Sequence, residues 1–305
     1  ALPIFAKPGE SVLVLGRPGA GCTTFLKALS GTDFDLYKGV TGDIRYDGLP
    51  QKEMLKLFKN DLVYNPELDV HFPHLTVDQT LTFAIACKTP EMRINGVTRD
   101  EFINAKKEIL ATVFGLRHTY HTKVGNDFVR GVSGGERKRV SIAEALACNG
   151  SIYCWDNATR GLDASTALEF AQAIRTSTKL LKTTAFVTIY QAGEGIYETF
   201  DRVTVLYDGH QVYYGPANKA KKYFEDMGWE CPPRQSTAEF LTAITDPIGR
   251  FPRAGWENKV PRTAQDFEHY WLNSPQYQEL MQEIKDYNDE IDEDETRSKY
   301  YQSIQ

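Results

Sequence analysis

Two short stretches of this 305-residue sequence carry residues whose types and spacing could do chemistry. The first is Gly16-Arg17-Pro18-Gly19-Ala20-Gly21-Cys22-Thr23-Thr24, a glycine-rich turn after the β-forming run Ser11–Leu15 and before a helix expected from Thr23 to Leu29. Glycines at this spacing between strand and helix let backbone N–H groups close around a phosphate, and the helix N-terminus adds favourable partial charge. A lysine is expected where Cys22 stands. A neutral thiol cannot supply the cation, so a charge-assisted contact of about 1.5–3 kcal/mol is missing. Thr23 keeps a hydroxyl where Mg²⁺ is expected. Read alone, the loop is equally an ordinary strand-to-helix turn.

The second stretch is Val132-Ser133-Gly134-Gly135-Glu136-Arg-Lys-Arg139, followed by Ile152-Tyr-Cys-Trp-Asp156, an apolar run ending in an acid, and then Gly161-Leu162-Asp163. Read alone, Ser-Gly-Gly is a helix-opening turn. Taken with the first loop, in this order and spacing, the segments resemble the P-loop, signature, Walker B and D-loop of ATP-binding-cassette (ABC) ATPases. The wording is closer still to the first, N-terminal nucleotide-binding domain of the fungal pleiotropic-drug-resistance, G-type exporters, with the SNQ-type branch of yeast multidrug exporters as the best fit. Tyr-Gly-Pro-Ala at 214–217, Lys-Tyr-Phe-Glu-Asp-Met-Gly at 222–228 and Asn-Lys-Val-Pro-Arg-Thr-Ala at 258–264 extend the resemblance over nearly the whole chain.

The resemblance implies ATP and Mg²⁺ as ligands, and it marks four departures from the general ABC pattern. Cys22 replaces the lysine. Glu67 stands at the Q-loop glutamine, Asn157 at the carboxylate after Asp156, and Tyr190 at the switch histidine. An amide cannot act as a carboxylate base, and a phenol titrating near pH 10 is a poor proton handler. Thr23 and Asp156 keep the metal-binding minimum, the latter through water, and Glu67 is a further candidate ligand. The expectation is a site that binds ATP and hydrolyses it poorly. By family logic the intact signature completes the site of a second nucleotide-binding domain, with membrane domains as further partners. The adenine-stacking aromatic of the family lies upstream of the P-loop, where Phe5 is a weak substitute.

The elements that must position these residues read as α/β. By resemblance they form a RecA-like core with an antiparallel β subdomain and a helical subdomain at about 76–145. Further strands are expected at 151–155, 185–189 and 203–207, the last entering a hairpin through Asp208-Gly209 to 211–214. Gly42–Gly48 reads as a strand and turn. Thr76 with Gln79 and Thr98 with Glu101 are capping boxes that open helices over 76–87 and 98–114, with Gly115 as a stop. Thr263 with Asp266, and Ser274 before Pro275, open two more helices. The domain is expected over 1–248 and connector helices over 249–305. Nine acids and one lysine between Glu279 and Glu295 suggest a solvated face.

Composition excludes other classes. With 41% hydrophobic and 25% charged residues the chain is globular, and a net charge of −6 argues against a general nucleic-acid binder. No apolar run approaches the roughly 18 residues of a membrane span. Cys22, Cys87, Cys148, Cys154 and Cys231 form no CxxC pair, which fits a reducing compartment. A start at Ala1 without Met points to a piece of something longer, placed by the resemblance at the cytoplasmic face of the plasma membrane. His71 and His74 lack a third ligand in view and read as a loop facing a membrane domain, and Trp155 reads as strand packing. The alternatives are a soluble ABC-type translation factor or scaffold, and an autonomous P-loop kinase or NTPase, which Cys22 and Asn157 disfavour.

Overall fold

Residues 2–33, 39–93 and 96–304 are described by a computed structural model. Strand β1 (Ser11–Leu15) is wholly buried and runs through the glycine-rich turn into α1 (Cys22–Ser30). Helix α1 stops at Gly31, whose left-handed φ of 67° suits glycine and lets its N–H reach back to the carbonyl of Ala28. The expected turn after Gly42 is a short antiparallel hairpin, β2 (Arg45–Tyr46) with β3 (Leu49–Pro50), closed by Asp47 and Gly48 at positive φ. It is followed by α2 (Gln51–Leu57) and β4 (Leu62–Asn65).

Three helices come next: α3 (Val77–Cys87), α4 (Arg99–Val113) and α5 (Gly134–Ala147). Their N-caps Thr76, Thr98 and Ser133 each form the reciprocal capping box with Gln79, Glu101 and Glu136. Helix α3 packs on both α4 and α5. Then β5 (Ile152–Trp155), α6 (Ala164–Leu181), β6 (Thr184–Thr188), α7 (Glu194–Tyr197), β7 (Arg202–Tyr207) and β8 (His210–Pro216) complete the core. The main sheet has the order β4-β5-β6-β1-β7-β8. All neighbours are parallel except the β7–β8 hairpin, whose Asp208-Gly209 turn has positive φ at both residues. A parallel sheet covered by helices on its connections is the expected α/β, RecA-like arrangement.

The chain continues through α8 (Ala217–Asp226), β9 (Trp229–Glu230), α9 (Thr237–Ile244), β10 (Phe251–Pro252), α10 (Ala264–Leu272), α11 (Pro275–Glu290) and α12 (Glu293–Ile304). The punctuated loop around Pro252 therefore contains a two-residue pairing of β10 with β9. Helices α10 and α11 pack on β8, where α10 buries Phe267 and Trp271. The acidic segment is more than a solvated face, because Leu280 is buried in α11, and Arg297 of α12 grips Glu53 with two nitrogens at 2.7 and 3.1 Å. Among the described residues, no helix is long and apolar enough to cross a membrane.

Candidate functional site

The C-terminal ends of β1, β4, β5 and β6 converge, so the loops leaving them meet at one edge of the sheet, where open α/β sheets place their ligands. Gly16 ends β1 under tight constraint. A Cβ there would lie 2.7 Å from the Leu206 carbonyl oxygen, 2.9 Å from Ala20 Cβ and 3.1 Å from Cys22 Sγ. Arg17 turns away from the loop: its guanidinium pairs with Asp208 at 2.8 Å and lies over the Tyr207 ring, while its N–H donates to Thr245 Oγ1. Pro18 and Gly19 are exposed, and buried Ala20 bonds through its carbonyl to the Gly209 N–H. Gly21, at φ 101°, is the N-cap of α1. It offers no side-chain cap, and the first turn holds no acid. The leading N–H groups of α1 are thus left for an outside acceptor.

Cys22 is buried at the first position of α1. Burial, reinforced by nearby Asp156, pushes its thiol up to about 12. Asp156, 1% exposed, follows β5 directly, and its carboxylate is gripped by three hydroxyls. Thr23 donates to Oδ1 at 3.1 Å, Thr188 to Oδ1 at 2.9 Å and Tyr64 to Oδ2 at 2.9 Å. Burial first, then Asp156, raises the Tyr64 phenol far above its ordinary value, so it stays a donor. Among the described residues, no lysine or arginine pairs with Asp156. A buried carboxylate without a cation, beside a threonine hydroxyl, is a hard-oxygen donor set that fits Mg²⁺.

Asn157 sits at φ 44° with its N–H on Thr188 Oγ1, and its Nδ2 donates to Glu67 Oε1 at 3.0 Å. The same Glu67 oxygen takes Arg160 at 2.7 Å. Tyr190 is 40% exposed; burial raises its phenol most, with Glu67, Asp156 and Cys22 adding to the rise and the Thr23 hydroxyl opposing it. Glu67, Asn157, Arg160, Leu162 and Tyr190 line a cavity of about 600 Å³. The four departures from the ABC pattern thus cluster with Thr23 and Asp156. Thr24 faces a larger cavity, about 1000 Å³, shared with Ala20, Gly21, Phe25, Phe5 and Tyr46. Within it the Phe5 ring packs on Tyr287, their centroids 4.8 Å apart.

The stretch expected to be the signature adjoins Gly161 and Leu162, which line the smaller cavity. Val132 is held by its N–H on the Lys123 carbonyl, Ser133 caps α5, and its backbone N–H holds the Glu136 carboxyl below its usual range. A Cβ on Gly134 would meet nothing within 4 Å, and one on Gly135 would meet only Gly161 O and Leu162 Cδ2, at 3.7 and 3.9 Å. Gly161 turns at φ 78°, and Asp163 caps α6 by accepting from the N–H groups of Ser165 and Thr166. His71 is tied to Glu144 at 3.1 Å and His74 is exposed; among the described residues no group of three metal-binding side chains forms. Trp155 is fully buried, stacked on Tyr153, as strand packing requires.

Sequence reasoning missed Tyr64, Thr188, Arg160 and Lys138. The only signal for Tyr64 and Thr188 was a hydroxyl near the end of a short strand, which becomes legible once the strand order is known.

The family model described as ABC transporter matches residues 4–160, just over half of the chain, and the chain belongs to that family. It is 66% identical over 301 residues to the ABC multidrug transporter SNQ2 of Candida glabrata and 63% identical over 300 residues to protein SNQ2 of Saccharomyces cerevisiae; each match covers 98% of this chain and 20% of the relative. The match to the Saccharomyces cerevisiae ABC transporter ATP-binding protein/permease PDR18 is 63% identical and covers 99% of this chain and 23% of that protein. The chain therefore spans about a fifth of the length of these relatives.

Proposed function

We propose that this chain is the first, N-terminal nucleotide-binding domain of a fungal multidrug exporter, and that its own site binds Mg-ATP but hydrolyses it poorly. The observation that carries the reading is the Asp156–Asn157 pair. A buried carboxylate held by three hydroxyls is followed by an amide already bonded to Glu67. The backbone N–H groups at the start of α1 would bind phosphate, with Gly16, Gly19 and Gly21 allowing the approach. Thr23 and Asp156 would hold Mg²⁺, which neutralises phosphate charge when bound, with Glu67 as a further candidate ligand. Asn157 has no basic oxygen to activate water, and the Tyr190 phenol, raised by burial, keeps its proton.

Ser133, Gly134 and Gly135, uncrowded at the head of α5, would contact nucleotide held by a second nucleotide-binding domain, with Gly161, Leu162 and Asp163 at the same interface. In the whole transporter, membrane domains would follow the connector at 249–305, the nucleotide-binding domain itself ending near 248. On this reading the chain would lie at the cytoplasmic face of the plasma membrane. The names of its relatives support the exporter reading.

The test is an equilibrium titration of the chain with ATP, with and without Mg²⁺, alongside a phosphate-release assay. Saturable, Mg-dependent binding without release supports the proposal. Absence of binding at millimolar ATP, or rapid turnover by the chain alone, contradicts it.

A further inference from the structure

The loop that carries Glu67 is fastened along one side of the signature helix α5. Asn65 Nδ2 donates to Ser141 Oγ at 3.2 Å. Lys138 Nζ donates to the Glu67 carbonyl at 3.0 Å and pairs with Asp69 Oδ1 at 2.9 Å. His71 Nδ1 lies 3.1 Å from Glu144 Oε2. Positions 138, 141 and 144 are three residues apart and so adjoin on the helix surface. Lys138 is the central tie: its side chain is 2% exposed and that of Asp69 12%. A buried ammonium is tolerated only when paired and hydrogen-bonded, so both contacts are needed to keep it there. The signature residues Ser133, Gly134 and Gly135 precede Lys138 on the same helix by little more than a turn. On the other side, the Glu67 carboxylate meets Asn157 and Arg160.

We propose that Lys138 is a positioning residue that fixes the Glu67 backbone relative to the signature helix, and so sets where the Glu67 carboxylate stands toward Asn157 and the Mg²⁺ position. The proposal rests on the nucleotide reading above for its consequence, while the tie itself is independent of that reading.

The test compares Lys138→Met with the double variant Asp69→Asn/Lys138→Met, which removes the buried charge that the single change strands. Both are measured in the full 305-residue chain, with Glu67 intact and with Glu67→Gln. Loss of a group that orients a metal-site residue weakens metal-dependent binding about tenfold. The expected result is therefore a tenfold weaker Mg-dependent ATP affinity in both variants, with Mg-free ATP binding within about twofold of wild type. In the Glu67→Gln background the same changes should add almost nothing, since sites acting through one another are not additive. Equal losses in both backgrounds, or full recovery in the double variant, would overturn the proposal. Limited proteolysis provides the separate readout. Chymotrypsin cleavage after exposed Leu68 should be about tenfold faster in Lys138→Met, which leaves residues 67–71 unaltered, while cleavage after exposed Leu181 is unchanged, as expected of a local release. Unchanged cleavage at Leu68 refutes the tie. If wild type binds no ATP under either condition, the nucleotide reading fails and the cleavage result alone decides the role of Lys138.

Discussion

Replacing Asn157 by glutamate tests whether the amide there is an isolated loss or half of a matched pair. Asn157 is 6% exposed and donates to Glu67 across 3.0 Å. A glutamate removes that donor and brings two carboxylates together. Like charges about 4 Å apart, at an effective dielectric near 20, repel by about 4 kcal/mol. Arg160, on the same Glu67 oxygen but 58% exposed, offsets part of this, and the adjoining cavity lets the new side chain turn aside. A net destabilisation of about 1–3 kcal/mol remains. Its pH dependence has a fixed sign. Crowded carboxylates hold a proton in the folded state more tightly than in the unfolded chain, so folding is least affected at acidic pH and weakens as pH rises. Urea denaturation at pH 5 and pH 8 should show Asn157→Glu close to wild type at the lower pH and clearly weaker at the higher. Phosphate release should not rise. Adding Glu67→Gln restores an amide–carboxylate pair with the roles exchanged, and should return most of the lost stability. Wild-type stability of Asn157→Glu at pH 8, or no recovery in the double variant, would refute the reasoning.

Thr188→Val should cost more than Tyr64→Phe in urea denaturation. Thr188 both donates to Asp156 and accepts from the Asn157 N–H, whereas Tyr64 makes one bond to the carboxylate, worth about 1.5–3 kcal/mol; equal losses would mean that Asp156 is held otherwise. With its thiol at about 12, only about one Cys22 in ten thousand is ionised at pH 8. Iodoacetamide followed by mass spectrometry should therefore label exposed Cys87 and leave Cys22 and buried Cys154 intact until unfolding, and comparable rates at Cys22 and Cys87 would contradict this. Gly16→Ala must push on the Leu206 backbone and should lose about 1–3 kcal/mol. A melting temperature equal to wild type would show that the loop yields freely.

Much of this was legible from the residues. Capping boxes at Thr76, Thr98 and Thr263, the Asp208-Gly209 turn and the strands at 11–15, 152–155, 184–188 and 202–207 announce themselves because their signals are local: a side chain bonding three residues ahead, two adjacent positive-φ positions, a run of β-formers. Strand β4 did not, since its four residues are bracketed by a 3-10 turn and Pro66, and only pairing with β5 defines them. The same limit hid Tyr64 and Thr188. Tyr64 is 92 and Thr188 32 residues from Asp156, and nothing in a linear pattern brings a phenol on one strand to a carboxylate on the next. Acid-rich α11 was legible as polar, but its Tyr287 contacts depend on where the hairpin residue Asp47 and Phe5 lie.

On the proposed reading, Cys22, Glu67, Asn157 and Tyr190 look along the sequence like four separate defects, yet the geometry links them. Glu67 and Asn157 form one hydrogen-bonded unit in which the carboxylate and the amide stand at each other's family positions. Cys22 is buried, and its Sγ lies 3.1 Å from where a Cβ on Gly16 would stand. A lysine there would put a longer, charged side chain near Asp156 and the Tyr190 phenol. Reverting Asn157 to glutamate crowds a second carboxylate against Glu67, and reverting Glu67 to glutamine takes away the carboxylate that accepts from the Asn157 amide, so these single reversions should lower stability before they raise turnover. Even Cys22→Lys, Asn157→Glu and Tyr190→His together need not restore hydrolysis, because the opposing signature belongs to another domain. Robust turnover by that triple variant without any partner would show that the departures act independently and that this chain contains a complete catalytic site.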